Sequence, residues 1–375
     1  MADLALKTML HDKLRFAITV AGVAFAVTLV LVQVGLFLGL LSNASATIKQ
    51  IDADLWVTSH ATPNVDFPSA FSESLIERVR SVPGVERADN LIVAYLPMAL
   101  PSGAKETVIL YALEDFRRWG FPRRVTEGDP RDLRRGSFMF LDESAVRRFG
   151  PFAVGEYREV NDRRLRIIGR TRGVVSFTTT PIGLVDYFTA QALNRDQLAG
   201  RTHYIVVKLT PGTDRAVVRA ELARRLPNND VLSRDDWASQ SRAYWVRTTG
   251  LGLNMFITVF LGCLVGVVVV AQTLYTSTME HLKEFGTVKA IGGSNGQIYA
   301  LLAKQSVIAA LVGFAVGAAQ SYAMRPLVAR IHLHLLIPTA FVAAVAVGTV
   351  AMCLAAGMIS YRKVASIDPA LVFRT

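Results

Sequence analysis

Cysteine is nearly absent from this chain: its 375 residues hold two, Cys263 and Cys353, and both fall inside long apolar runs. The polar middle has none, which excludes a disulfide framework or a thiolate metal site there. Histidine is scarce, at six residues, and no H-E-x-x-H spacing occurs. His60 and His203 stand singly in the middle segment, and His332 and His334 have no third ligand near them in sequence. The phosphate-binding spacing G-x-x-x-x-G-K-[ST] is also missing, so any ATP must be bound by another subunit. No catalytic, cofactor-binding or metal-ligating set emerges.

Charge is missing from four stretches: Phe16 to Ile48, Thr248 to Met279, Gln305 to Met324 and Ile331 to Tyr361. Each can hold the roughly 20 apolar residues that a helix needs to cross a bilayer. One lies near the N-terminus and three crowd the C-terminal third. The first run is too long for the apolar core of a secretory signal, so Ala44-Ser45-Ala46 is not expected to be a cleavage site. The reading is therefore a membrane α-helical protein with four transmembrane helices in a 1+3 layout. A large α+β domain lies between the first and second. Its parts are a leader (1–15), a first span (16–41), the polar domain (42–247), a second span (250–274), a link (275–300), a third span (301–324), an outer link (325–337), a fourth span (338–361) and a tail (362–375).

The formal net charge is +11. Basic residues alternate with acidic ones, as in Arg131-Asp132-Leu133-Arg134-Arg135, which argues against a nucleic-acid partner and for membrane lipids near the helix ends. Lys7, Lys13 and Arg15 precede the first span. Lys283, Lys289 and Lys304 lie between the second and third uncharged stretches, and Arg362, Lys363 and Arg374 in the tail. The positive-inside rule puts these three segments in the cytoplasm and the polar domain on the other face, against only Arg325 and Arg330 in the outer link.

Within the polar domain, Ser72 to Val82 has helical spacing with Ser72 as N-cap, and Pro83-Gly84 stops it. Val85 to Met98 and Thr107 to Leu113 read as strands joined by Pro101-Ser102-Gly103. Tyr204 to Leu209 reads as a strand, Pro211 to Asp214 opens a helix that runs to Leu226, and Val231-Leu232 forms a short strand. Ser137 to Leu141 and Leu165 to Ile168 are strand-like, giving two lobes. The apolar loops Trp119 to Pro122 and Phe177 to Pro181 are read as core.

The segment Glu280-His281-Leu282-Lys283-Glu284-Phe285-Gly286-Thr287-Val288-Lys289-Ala290-Ile291-Gly292-Gly293 follows the second span without a breaker. Leu282, Phe285 and Val288 recur at three-residue spacing between charges, which predicts an amphipathic element. Gly292-Gly293-Ser294-Asn295-Gly296 matches G-x-S-x-G, but a helix rather than a strand leads into it, which removes the nucleophile-elbow reading.

This segment resembles the signature of the FtsX-like, MacB-type ABC permeases. In that family a charged patch like E/R-x-x-E-[IF]-G leads to an alkyl run, then Ala-[LIV]-Gly. Lys283-Glu284-Phe285-Gly286 and Ala290-Ile291-Gly292 occupy those places. Ser366 to Arg374 resembles the family's terminal D-P-[AV]-x-x-[LIF]-R, and Leu6 to Phe16 resembles its amphipathic leader. The span layout is similar over the whole length, and the chain is similar to the DevC-like branch. One departure stands out: His281-Leu282 replaces the usual Arg.

The resemblance implies a non-catalytic homodimeric permease in a bacterial inner membrane, with both termini cytoplasmic and the large domain periplasmic. Two copies of an ABC ATPase would hold the ATP and magnesium. The coupling residues it implies are Glu280, Leu282, Lys283, Glu284, Phe285, Gly286, Lys289, Ile291 and Gly292. It further implies an exporter that works by mechanotransmission, with a periplasmic adaptor and an outer-membrane duct. The alternatives are a signal transmitter that activates a periplasmic hydrolase and a receptor that needs no ATPase. Gly35/Gly39, Gly262/Gly266 and Gly313/Gly317 are spaced for close helix packing.

Overall fold

The computed structural model describes residues 13–280, 294–330 and 333–365. They belong to two units: Met1–Gly39 with Leu251–Thr375, and Leu40–Gly250.

The first unit holds the helices Lys13–Asn43, Leu251–Glu280, Asn295–Ala323 and Thr339–Ala365, all long and apolar enough to cross a membrane. At about 1.5 Å per residue each exceeds the ~30 Å of a bilayer's hydrocarbon core. Many of their residues are Val or Ile, which favour strands in water. In hydrocarbon the backbone must satisfy its own hydrogen bonds, and that constraint selects the helix. The third helix starts with a capping box: Ser294 accepts from the Gln297 N–H, and the Gln297 side chain accepts from the Ser294 N–H. The unit's core joins Val23, Val27 and Leu31 of the first helix to Val270, Ala310, Cys353 and Ala356 of the others.

The Leu40–Gly250 unit is built on twelve strands. They are β1 (Leu55–Ser59), β2 (Phe71–Ser72), β3 (Val85–Ala99), β4 (Lys105–Leu113), β5 (Val125–Glu127) and β6 (Phe138–Asp142). The rest are β7 (Tyr157–Val160), β8 (Arg163–Thr171), β9 (Ile182–Asp186), β10 (Arg201–Thr202), β11 (Tyr204–Leu209) and β12 (Asn229–Ser233). One mixed sheet runs β12-β1-β11-β3-β4-β9-β6-β8-β5, with β7 against β3 and β8, while β2 and β10 pair separately. Most neighbours are antiparallel; β4/β9 and β6/β8 are parallel.

Both faces of the sheet are covered. Along β3, Leu91 and Val93 join one core cluster, while Ile92, Ala94, Leu96 and Met98 join another. Two-sided burial explains the continuous apolar runs Val108 to Leu113 in β4 and Tyr204 to Val207 in β11. The helices Ala46–Gln50 and Arg234–Arg247 cover the face of Trp56, Tyr111 and Tyr204, to which Ile48, Ile51 and Trp237 belong. Leu75–Arg80 and Arg215–Arg225 cover Leu55, Val57, Ile205 and Val207 on the other side. Asp214 caps the second of these by accepting from the Ala216 N–H at 2.8 Å.

Ser72 does not cap a helix. Phe71 and Ser72 pair with Thr202 and Arg201, so the helix starts only at Leu75, with Ser74 at its N-cap. The apolar loops lie in the core: Trp119, Phe121 and Phe177 are all buried.

Candidate functional site

The helix of the second span continues unbroken to Glu280. Of the coupling residues expected from the sequence, Glu280 is described, and Leu282, Lys283, Glu284, Phe285, Gly286, Lys289, Ile291 and Gly292 lie outside the described residues. Glu280 forms an ion pair with Arg15. That pair ties the start of the first helix to the end of the second within one unit. Glu280 is half exposed, and pairs of this kind are worth about 0–1 kcal/mol.

The six glycines of the small-residue pairs all stand at close contacts in the membrane unit. A Cβ placed on Gly262 lies 2.8 Å from Leu29, on Gly266 2.9 Å from Ala26, and on Gly313 2.6 Å from Val23. On Gly317 it lies 2.7 Å from the Ala24 carbonyl oxygen. On Gly35 it lies 2.8 Å from Leu335, and on Gly39 it runs into the His334 carbonyl oxygen. A side chain can move aside, whereas a backbone carbonyl cannot, so Gly39 and Gly317 tolerate substitution least. Gly22 makes the same kind of contact, 2.5 Å from Val269. Its signal in the sequence was the Gly22/Ala26 spacing, a small-residue pair with only one glycine. Thr28 adds hydrogen bonds from the first helix to the third, donating to the Gly317 carbonyl at 3.2 Å and to Gln320 Oε1 at 3.0 Å.

In the extramembrane unit, the chain arrives through the Ala46–Gln50 helix and leaves through the Arg234–Arg247 helix. These two elements are fastened together. Arg242 Nη1 donates to Ser45 Oγ at 2.9 Å, and Trp237 shares a core cluster with Ile48 and Ile51. The departing helix also grips the loop after β1. Gln240 Nε2 donates to the Thr62 carbonyl at 3.0 Å, and Ser241 Oγ accepts from the Val65 N–H at 3.2 Å. Farther along, Trp245 stacks on Phe177 with ring centroids 3.9 Å apart. Nothing in the polar string RDDWASQSRAYWVR announced this role.

The same loop forms one wall of a cavity of about 970 Å3, lined by Asp66, Phe67, Tyr95, Asp196, Arg201 and His203 among others. Asp66 is buried, and its Oδ1 accepts from Ser176 Oγ at 3.1 Å. Burial pushes its pKa up to about 6 against the smaller lowering effects of Ser176 and Trp245. Trp245 Nε1 stands beside the carboxylate without completing a hydrogen bond of ordinary geometry. His203 Nδ1 accepts from the Val93 N–H at 3.1 Å. Burial, then the nearby Arg201, pull its pKa down to about 4, so the ring is neutral near pH 7. His60 is a surface group bonded to Asp230 at 2.9 Å. Asp235 and Asp236 occupy the first turn of the Arg234–Arg247 helix, where the helix dipole favours them.

Comparison with known proteins adds six findings. The family model of the MacB-like periplasmic core domain matches residues 16–225, and that of the FtsX-like permease C-terminal region matches residues 256–369. An uncharacterized ABC transporter permease of Mycobacterium tuberculosis is 29% identical over 366 residues, covering 96% of this chain and 95% of the relative. A second from that organism is 26% identical over 375 residues, covering 98% of each. Among solved structures, the periplasmic region of MacB from Actinobacillus actinomycetemcomitans is 14% identical and covers 51% of this chain and 94% of its own, with a TM-score of 0.40. The extracellular domain of the transporter YknZ from Gram-positive bacteria is 13% identical and covers 48% and 98%, with a TM-score of 0.38.

Proposed function

Because this chain belongs to the MacB-type, FtsX-like family of ABC transporter permeases, we propose that it carries motion from a partner ATPase to its own extramembrane domain. The chain is the non-catalytic subunit of an exporter. It works as a homodimer in the inner membrane, with both termini in the cytoplasm and the large domain in the periplasm. Two ABC ATPases bind the segment from Glu280 to Gly292 and hold the ATP and magnesium. An adaptor and an outer-membrane duct engage the periplasmic domain.

One observation supports the mechanical part of this reading. The two elements through which the chain joins the domain to the first and second spans are fastened to each other by Arg242–Ser45 and by the Trp237 cluster. A displacement of either span then moves both attachments together, and with them the loop that Gln240 and Ser241 hold. The domain is shifted as one piece rather than pulled apart. Apart from Lys304 at the start of the third, the spans carry no charge, which agrees with this, since they line no path for an ion.

Purification of the tagged chain from its own membranes tests the reading. An ABC ATPase is expected in the complex, and Phe285→Asp is expected to remove it while leaving the permease in the membrane. An unchanged yield of ATPase with Phe285→Asp would refute the assigned coupling segment.

A further inference from the structure

The cavity in the extramembrane domain has about the volume of a small-molecule site, which commonly spans roughly 300–1,000 Å3. Phe67 and Tyr95 present aromatic surface to it, 47% and 37% exposed, whereas Trp56, Trp119 and Trp237 are sealed in the core. The charged groups in its lining are Asp66, Asp196 and Arg201, and Arg201 already donates to the Ala70 carbonyl at 3.0 Å. His203 adds no charge: its Nδ1 accepts a hydrogen bond, so the single proton of the neutral ring is on Nε2. At neutral pH the carboxylates outnumber the cation.

Asp66 supplies an independent observation. It is only 2% exposed, and its Oδ2 lacks a hydrogen bond of ordinary geometry, although a carboxylate can accept about four. The groups that face it are Ser176, Trp245 and the hydroxyls of Tyr95, Tyr111 and Tyr204, all of them neutral. Two other deeply buried acids lie on the sheet and both are satisfied: Asp89 has Arg80 and Arg118 within 3.5 Å, and Asp142 accepts hydrogen bonds from Ser144, Thr171 and the Val174 N–H. Asp66 has neither a counter-ion among the described residues nor a partner of ordinary geometry for its Oδ2, yet it lines a cavity.

We infer that this cavity binds an organic ammonium carried on an apolar body, with Asp66 as its counter-ion and Phe67 and Tyr95 as its aromatic wall. A cation over an aromatic face is attracted by the ring, and an adjacent carboxylate adds charge pairing and accepts the N–H. The site is complete within Leu40–Gly250 and does not depend on ATPase coupling.

The full chain in phosphatidylcholine nanodiscs, titrated with the fluorescent primary amine dansylcadaverine, tests this. Empty nanodiscs measure uptake by lipid, and the N-acetylated probe removes the charge. Saturable binding at pH 7.5 is expected, weaker by about tenfold or more for the acetylated probe and for Asp66→Asn. Wild-type affinity falls about tenfold between pH 7.5 and pH 5 as the proton competes for Asp66, and Asp66→Asn loses that dependence. Phe67→Ala, at an exposed position, weakens binding severalfold without touching the charge. Equal affinity for the charged and acetylated probes, wild-type affinity in Asp66→Asn, or no saturable signal above empty nanodiscs would each overturn the inference.

Discussion

In the membrane unit glycines stand where another part of the unit leaves no room for a Cβ, and in the extramembrane domain the largest buried side chains are tryptophans. Gly313 and Gly317 let the third helix reach Val23 and Ala24 of the first, where no side chain could fit. Trp56, Trp119 and Trp237 instead fill the space between a sheet and its covering helices. The solvent explains the contrast. Lipid tails are as apolar as leucine, so burying a large side chain between membrane helices gains little, and close backbone approach does the work. In water the same burial is the main source of stability. One unit is therefore sensitive to added atoms, and the other to removed ones.

This comparison is broken most severely at Trp237. Trp237→Ala leaves a cavity where the Ala46–Gln50 and Arg234–Arg247 helices meet the sheet, and it is expected to cost about 3–5 kcal/mol. Chemical denaturation followed by tryptophan fluorescence measures it. A loss below about 1 kcal/mol would mean that the cluster does not hold the two attachments together.

Asp66 sharpens the comparison, because removing its charge is expected to stabilise the domain. Its pKa in the folded state, about 6, is above the ordinary 3.8, so the folded form holds the proton more tightly. Its stabilising effect is complete below about pH 4 and is lost as the pH rises through about 6. Above that the buried carboxylate costs about 3 kcal/mol. Asp66→Asn should raise the melting temperature at pH 7.5 and leave it nearly unchanged at pH 4. A destabilised variant at pH 7.5 would refute the assigned cost of burying this charge.

The smallest effect belongs to the membrane unit. Gly317→Leu pushes atoms into the Ala24 backbone and is expected to cost about 1–3 kcal/mol in detergent unfolding. Gly348 has nothing within 4 Å of its Cβ position, so Gly348→Ala should be neutral or slightly favourable. Equal effects at both positions would show that glycine abundance, not close packing, explains these residues.

Much of this was legible in the sequence, and the reason differs between the units. The spans could be read because a bilayer imposes one length and one composition on any helix that crosses it. The β3–β4 hairpin was legible from two apolar runs around Pro101-Ser102-Gly103, and Tyr204–Leu209 from its β-branched core. β1 was not, because Leu55–Ser59 is short and has no turn signal of its own; it is a strand because β11 and β12 pair with it on either side. The Arg234–Arg247 helix has hardly any apolar face, and its place is set by Trp237 and Trp245 finding partners from distant parts of the chain. Asp66 and its cavity depend on segments 63–70, 93–95 and 194–203 coming together, and no local pattern encodes that. The helix-packing glycines were visible as spacings, but which helix each one meets was not.

The central claim is that the two attachments of the extramembrane domain move together when the ATPases close. Spin labels at the exposed residues Lys49 and Ser239, with Cys263 and Cys353 replaced by alanine, test it by pulsed electron paramagnetic resonance on the complex with its ATPase. Within one chain the 49–239 distance should stay constant when a non-hydrolysable ATP analogue binds, while the distances between the two copies shift. A change in the 49–239 distance, or no shift between the copies, would contradict the account.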